Sequence, residues 1–550
     1  FIKEQLAGDE LYPDNRDALI ATGYYRLGQW DDEPSDPLQA RYDELDDIAS
    51  TTGQAFVGLT VGCARCHDHK IDPFPQKDYY KFLAFFQGTT RYGLRGYDTV
   101  QARSLRSIAS PEDQKRFDDE TAKYRAQIEE LSGKLKTIEE KVMPDFSEVD
   151  KEEFKSNHNR VPLVRKRAPK LITEAQADEY AKDFRQREKL RANPPAGLEQ
   201  ALCVTEEGPT PEKTFLLMRG NPHAEGEEVV PGFPSVLSPA NTPDPTITAS
   251  AAEVKSSGRR SVLANWIASP SNPLTSRVMV NRIWQHHFGR GIVPSSNNFG
   301  YLGTPPTHPE LLDWLAGEFV RGGWKMKPLH RLMLTSSTYR MSSQAEKKAL
   351  AKDPENELFW RFDMRRLDAE EIRDSILRVT GTLRTDKVGG PSIYPTIPAE
   401  ILAGQSRPGA GWPTSSAEDQ ARRSIYIHIK RSLAVPLLAS YDAADTDASC
   451  PVRFATTQPT QALSMMNSTF VNDEAGKFAA LLKEKAGADP AAQVKLALWR
   501  SLQRTPTAAE IKRGTDLIAA LRKDPSITQD DALRYFCVVA LNLNEFMYLD

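Results

Sequence analysis

The chain has 550 residues, of which 39% are apolar and 27% charged. At about 150 residues per domain this predicts several globular domains, and it excludes collagen-like, mucin-like and wholly disordered chains. Its 71 basic and 75 acidic side chains leave a formal charge of −4, and it has five cysteines, so neither a nucleic-acid-gripping surface nor a disulfide scaffold is expected.

The chain opens at Phe1 in FIKEQLAGDEL, which reads as part of an element already under way, so further sequence upstream is expected. Residues 1–95 read as mostly helical. Leu45, Ile48, Thr52, Phe56 and Leu59 recur every three or four positions, which predicts a helix with one packed face ending near Gly62. Pro73 and Pro75 then bar a regular helix. Tyr79, Tyr80, Phe82 and Phe85 form an aromatic cluster suited to core packing or to walling a large apolar cofactor. SPED at 110–113 caps a long charged helix or hairpin, an expected solvated arm over 109–148, and 151–200 continues helix-prone and basic. Residues 200–250 alternate short apolar runs with Gly and Pro, which predicts a small sheet of three or four strands. SPANTPDPTITASAAEVKSSG reads as a linker.

Helices return from 258. Two flank the SPSNP turn, HPELLDWLAGEFVRGG forms another with Leu311, Leu312, Leu315 and Phe319 on its apolar face, and MKPLHRLMLTSSTYR a further one. Residues 350–550 stay largely helical apart from KVGGPSIYPTIPAE and a strand-like RRSIYIHI at 422–429, and the last apolar residues read as a buried helix. No stretch has the length and apolarity of a membrane span. The expected architecture is mainly α: two helical regions with a small β-rich insert between them and a long charged helical arm. Its expected parts are 1–107, 108–199, 200–250 and 258–550.

Cys63-Ala-Arg-Cys66-His67 carries the most chemistry. Two thiols three residues apart reach two vinyl groups on one haem edge, and the next imidazole sits under the iron. This points to covalent haem c, with His67 as proximal metal ligand and His69 near a propionate or at a partner surface. Alternatives are a zinc site, a dithiol or disulfide, and two small buried residues. His286 and His287 at a helix end, beside Arg290, are candidates for the distal side, with His287 the candidate second metal ligand. His308 and His330 read as loop and packing residues. Arg366, Glu370 and Asp374 have ordinary salt-bridge spacing, and Thr456, Thr457, Gln458 and Gln461 suit either helix capping or a ligand. Asp9, Glu44 and Asp47 offer carboxylates for a hydrolase, but spacing places no pair.

TVGCARCHDHKIDPFPQKDYY, after DELDDIASTTGQAFVGL, resembles the planctomycete cytochrome-c-associated exported family with two regions of the DUF1549/DUF1553 type. The second region resembles about 258–530, through RRSVLANWIASPSNPLTSRVMVNRIWQHHFGRGIV, THPELLDWLAGEFV and CPVRFATTQPTQALSMMN. The resemblance implies an exported, periplasmic protein and supports haem attachment at Cys63, Cys66 and His67. It assigns no catalytic base. The expected function is therefore a haem c oxidoreductase or electron-transfer protein, acting on a small-molecule or saccharide substrate or passing electrons to a cytochrome, for example an upstream cytochrome c domain. The competing reading is a non-redox exported binding or scaffold protein with a structural metal or a disulfide at the motif.

Overall fold

Capping side chains set where the helices begin. The Asn15 carboxamide oxygen accepts the N–H groups of Asp17 and Ala18, Asp36 does the same for Leu38 and Gln39, and Ser110 accepts from Asp113, each satisfying amides that a first turn leaves free. A computed structural model describes residues 1–93, 97–206, 208–239, 242–248, 256–447 and 449–549. The fold is mainly helical, with short antiparallel two-stranded sheets. It divides into two units. One comprises Phe1–Ser35, Gly88–Pro211 and Ile247–Ser261, and the other Asp36–Gln87, Glu212–Thr246 and Val262–Asp550.

In the first unit, helices Ile2–Leu11 and Arg16–Ala21 pack at Gly8, where a Cβ would stand 2.0 Å from the Ala18 carbonyl oxygen. Strand Leu105–Ser107 pairs with Gln200–Leu202. The buried Arg26 guanidinium donates to the carbonyls of Thr90, Arg103 and Cys203, tying three distant segments together. The charged arm is the helix Pro111–Val142. Its first half is solvated, as expected. Leu131, Leu135 and Val142 near its end are buried. Leu135 and Val142 share a small core with Phe146, Phe154, Leu163, Tyr180 and Phe184 of the helices that follow.

A fully buried cation of this unit is Arg260, with no exposed side-chain area. Its Nη1 and Nη2 donate to the two Asp9 oxygens at 2.7 and 3.0 Å, its Nε donates to Glu206 at 2.6 Å, and Nη2 lies 3.1 Å from Glu10. Burial pushes the Asp9 and Glu206 carboxyls up, but the Arg260 charge and hydrogen bonds outweigh it and hold both below the usual range. Glu10 ends above its usual range, because burial and the Glu206 charge together exceed the pull of Arg260.

In the second unit, helix Pro37–Thr52 buries Tyr42, Leu45, Ile48 and Thr52 and continues as a wider π turn, Gly53–Val57. Gly58 stops it at φ 68°, earlier than the predicted end near Gly62. Tyr79, Tyr80, Phe82 and Phe85 are core residues, and Phe85, Phe233 and Trp266 stack in series. Helices Thr275–Phe288, Pro309–Arg321 and Met326–Thr335 share one core built on Ile283, Trp284, Leu312, Leu315 and Phe319. A second core joins Ala369–Thr380, Thr469–Ala486, Pro490–Leu502, Ala508–Leu521 and Gln529–Ala540.

The β predictions fared less well. Residues 200–250 contribute Gln200–Leu202 to one sheet and a separate hairpin, Thr214–Leu217 with Glu225–Val229, instead of one sheet of three or four strands. Pro209 and Pro211 interrupt the run between them. Part of the linker, 249–255, lies outside the described residues. RRSIYIHI holds only a short 3₁₀ turn at Ser424–Tyr426 and isolated bridges. Its alternation buries Ile427 and exposes Ile425 and Ile429. Arg366, Glu370 and Asp374 do not pair with one another: Arg366 meets Asp442, Glu370 meets Arg453, and Asp374 accepts from Ser424. Gln458 and Gln461 form a capping box.

Candidate functional site

The left-handed turn at Gly58 frees Leu59, Thr60 and Val61 from the helix, and the Gly58 carbonyl accepts the Phe299 N–H at 2.8 Å. A side chain at 58 would meet Phe299 and Val278 at 2.8 Å, so both conformation and space call for glycine there. Further on, Pro73 and Pro75 keep 69–75 in tight turns, with His69 N donating to the Phe74 carbonyl at 2.9 Å and Phe74 N to that of Asp72 at 2.7 Å. These segments and the long non-helical stretch 289–308 enclose a cavity of about 540 Å³, whose walls all come from the second unit. The walls are mainly apolar: Leu59, Val61, Phe74, Leu237, Phe299 and Leu312 among others.

Few polar groups line it. Arg277 Nε donates to Asp313 at 2.7 Å on one side. Thr60, His69 and Asp72 meet on the other. His69 Nδ1 accepts the N–H of Asp72 at 2.8 Å and of Ile71 at 3.3 Å, so the ring proton sits on Nε2. Nε2 lies 3.4 Å from Thr60 Oγ1 and 3.5 Å from Asp72 Oδ2. Asp72 Oδ1 accepts the Tyr301 N–H at 2.6 Å.

Among the described residues, the sequence-predicted site residues form no group that could hold a metal ion. Cys63 and Cys66 are exposed free thiols, and Cys66 Sγ faces the backbone of Gly220, where a Cβ would come within 2.8 Å. Arg65 between them is held by Asp43 and Asp46. His67 is exposed, its Nδ1 spent locally on the Asp68 carbonyl at 2.6 Å. His69 is buried at the cavity. His286 is exposed at the end of Thr275–Phe288. His287 Nε2 lies 2.8 Å from His330 Nδ1. Burial, then the neighbouring His330, His286 and Arg365, holds the His287 imidazole below its usual value. Arg290 donates to the carbonyls of Glu355 and Asn356.

This geometry corrects the haem expectation. Among the described residues, no group of three or more His, Cys, Asp or Glu side chains could hold a metal ion. The reading of covalent haem c on Cys63 and Cys66, with His67 and His287 as iron ligands, is therefore withdrawn. With it go the cytochrome, electron-transport and oxidoreductase readings that rested on it. The competing structural-metal site falls for the same reason, and the disulfide falls because all five cysteines are free.

Residues 1–91 match the family model described as PSCyt2, protein of unknown function (DUF1549), and residues 259–518 match that described as PSD1, protein of unknown function (DUF1553). The chain belongs to this two-region family. No curated protein and no solved structure matches it. DUF1549/DUF1553 membership is consistent with an exported protein, and among the described residues no helix is long and apolar enough to cross a membrane.

The cavity draws on both matched regions, Thr60, His69 and Asp72 from the first and Arg277, Phe299 and Asp313 from the second. Sequence reasoning singled out His69 but missed Thr60, Asp72, Arg277 and the 289–308 wall. One signal was available: a stretch that long without regular structure, between two strong helices, is uncommon inside a compact domain and is usually functional.

Proposed function

We propose that the second unit is a ligand-binding module of an exported protein working in the periplasm, and that its cavity takes a small organic molecule with a large apolar surface. The cavity carries this reading. Its volume of about 540 Å³ falls in the range of small-molecule sites, which combine apolar walls with a few placed polar groups. Of the expected partner classes it supports a small molecule, and it disfavours a saccharide. Many sugar hydroxyls would lose water against Leu59, Val61, Leu237 and Leu312 without gaining partners.

The test is saturable binding of a hydrophobic fluorescent probe, anilinonaphthalene sulfonate, by the full chain. Val236 and Thr304 line the rim and are exposed. Val236→Trp and Thr304→Trp are expected to fill the cavity and remove single-site binding while leaving the melting temperature unchanged. Probe binding unaffected by both substitutions overturns the reading.

A further inference from the structure

We propose that the ligand of this cavity carries a hydroxyl group that bridges His69 Nε2 and Asp72 Oδ2 from the cavity side. The inference rests on the reading that the cavity binds an apolar molecule, and it names the polar group that molecule bears.

The argument starts from an incomplete hydrogen-bond arrangement. Two backbone N–H groups occupy His69 Nδ1, which leaves Nε2 as a donor. The His69 side chain is only 3% exposed, and the neighbours of Nε2 stand at 3.4 Å on Thr60 and 3.5 Å on Asp72. Both exceed the distances at which an N–H donor is well satisfied. Asp72 is in the complementary state. Its Oδ1 is taken by the Tyr301 N–H, while among the described residues Oδ2 has only the long His69 approach. Gly300 lets the backbone pack directly against one face of this carboxylate, since a Cβ there would lie 2.4 Å from Oδ2, so a ligand reaches it from the cavity side. A buried donor and a buried acceptor thus stand side by side, each short of a close partner, on the polar edge of an apolar cavity. Contacts this long leave both groups only weakly satisfied.

A hydroxyl satisfies both at once, accepting from Nε2 and donating its proton to Oδ2. A ligand carboxylate would face the Asp72 charge. An ammonium would face the Nε2 proton. An ether oxygen would serve His69 but give Asp72 nothing. The chemical class is therefore an apolar alcohol.

Calorimetry of the full chain with octanol, heptyl methyl ether, octanoate and octylamine separates these cases. Octanol is expected to bind about tenfold tighter than each of the others, the effect of one hydrogen bond to a charged acceptor. Asp72→Asn should bring octanol down to the ether's affinity and leave the ether unchanged. If that variant fails to fold, the wild-type series decides alone. Equal affinities, or tighter binding of octanoate or octylamine, overturn the hydroxyl assignment while the cavity reading stands. Binding of none of the four overturns the cavity reading itself.

Discussion

Replacing Arg260 by methionine is expected to destabilise the first unit strongly at neutral pH and much less in acid. Among the described residues, Arg260 is the one cation that pairs with Asp9, Glu10 and Glu206 together. Arg106 reaches Asp9 only at 3.6 Å and is 41% exposed. Removing one partner of a buried ion pair costs about 3–5 kcal/mol, because the other charge stays buried without compensation. In the wild type, Asp9 and Glu206 are held below their usual values, so their contribution is present above the ordinary carboxylate range and is lost as pH falls through their lower folded values. Glu10 has the opposite sign: held above its usual value, its contribution is present in acid and lost as pH rises through the raised value. Without the guanidinium, burial pushes all three up. The variant then takes up protons on folding and regains about 1.4 kcal/mol per pH unit for each carboxyl involved. The stability gap should narrow between about pH 7 and about pH 5. Hydrogen exchange of the amides in Ile2–Leu11 and 256–261, read at both pH values, measures the gap where the network sits. A gap that stays constant or widens in acid refutes the electrostatic account and leaves Arg260 as a packing residue.

The His287 imidazole is expected to titrate below the ordinary value of about 6.5, because burial and then the neighbouring His330, His286 and Arg365 oppose its proton. The stability that depends on its neutral form is present above that value and lost as pH falls through the lower folded one. Imidazole NMR gives the midpoint, and one at or above the ordinary value rejects the argument. Thiol labelling should split the five cysteines. Cys63, Cys66 and Cys450 are exposed, whereas Cys203 and Cys537 are buried. Burial pushes the Cys203 thiol up to about 11 and the Cys537 thiol higher still. A maleimide should therefore add to three sites on the native chain and to the other two only in denaturant. Rapid native labelling of Cys537 would contradict the buried core around it.

What was legible in the sequence follows from how local each signal is. The face of Leu45, Ile48 and Thr52 and the capped helix at 111 are encoded within a few turns, and both formed. RRSIYIHI reads as a strand because its residues alternate, but a strand also needs a neighbour along its whole length, and among the described residues Ile427 pairs with Ile393 in an isolated bridge. The C-x-x-C-H motif misled in the same way. Spacing puts two thiols and an imidazole on one short segment, but a metal centre needs further side chains to converge. His67 turns instead to the carbonyl of the next residue. The sequence alone suggests that His69, two residues on, meets a propionate or a partner surface. The turn imposed by Pro73 brings two amides onto its Nδ1 and buries it. No pattern in a single segment reveals that capture.

The two matched regions are joined physically as well as by sequence. Asp9 and Glu10 lie in the first and Arg260 opens the second, about 250 positions later; the bidentate contact between them is buried inside one unit. Ser256 and Ser261 add hydrogen bonds to Glu10 from the same side. A charge network this dehydrated gains little net stability over well-packed apolar residues, because desolvation offsets most of the attraction. What it does supply is discrimination. With Arg260 absent or displaced, three carboxylates are left buried together, so any other pairing of these segments is strongly disfavoured. On that argument the network's main effect is to fix which segments meet. That is also why the Arg260→Met variant should show its cost as a pH-dependent charge penalty and not as a simple loss of contact.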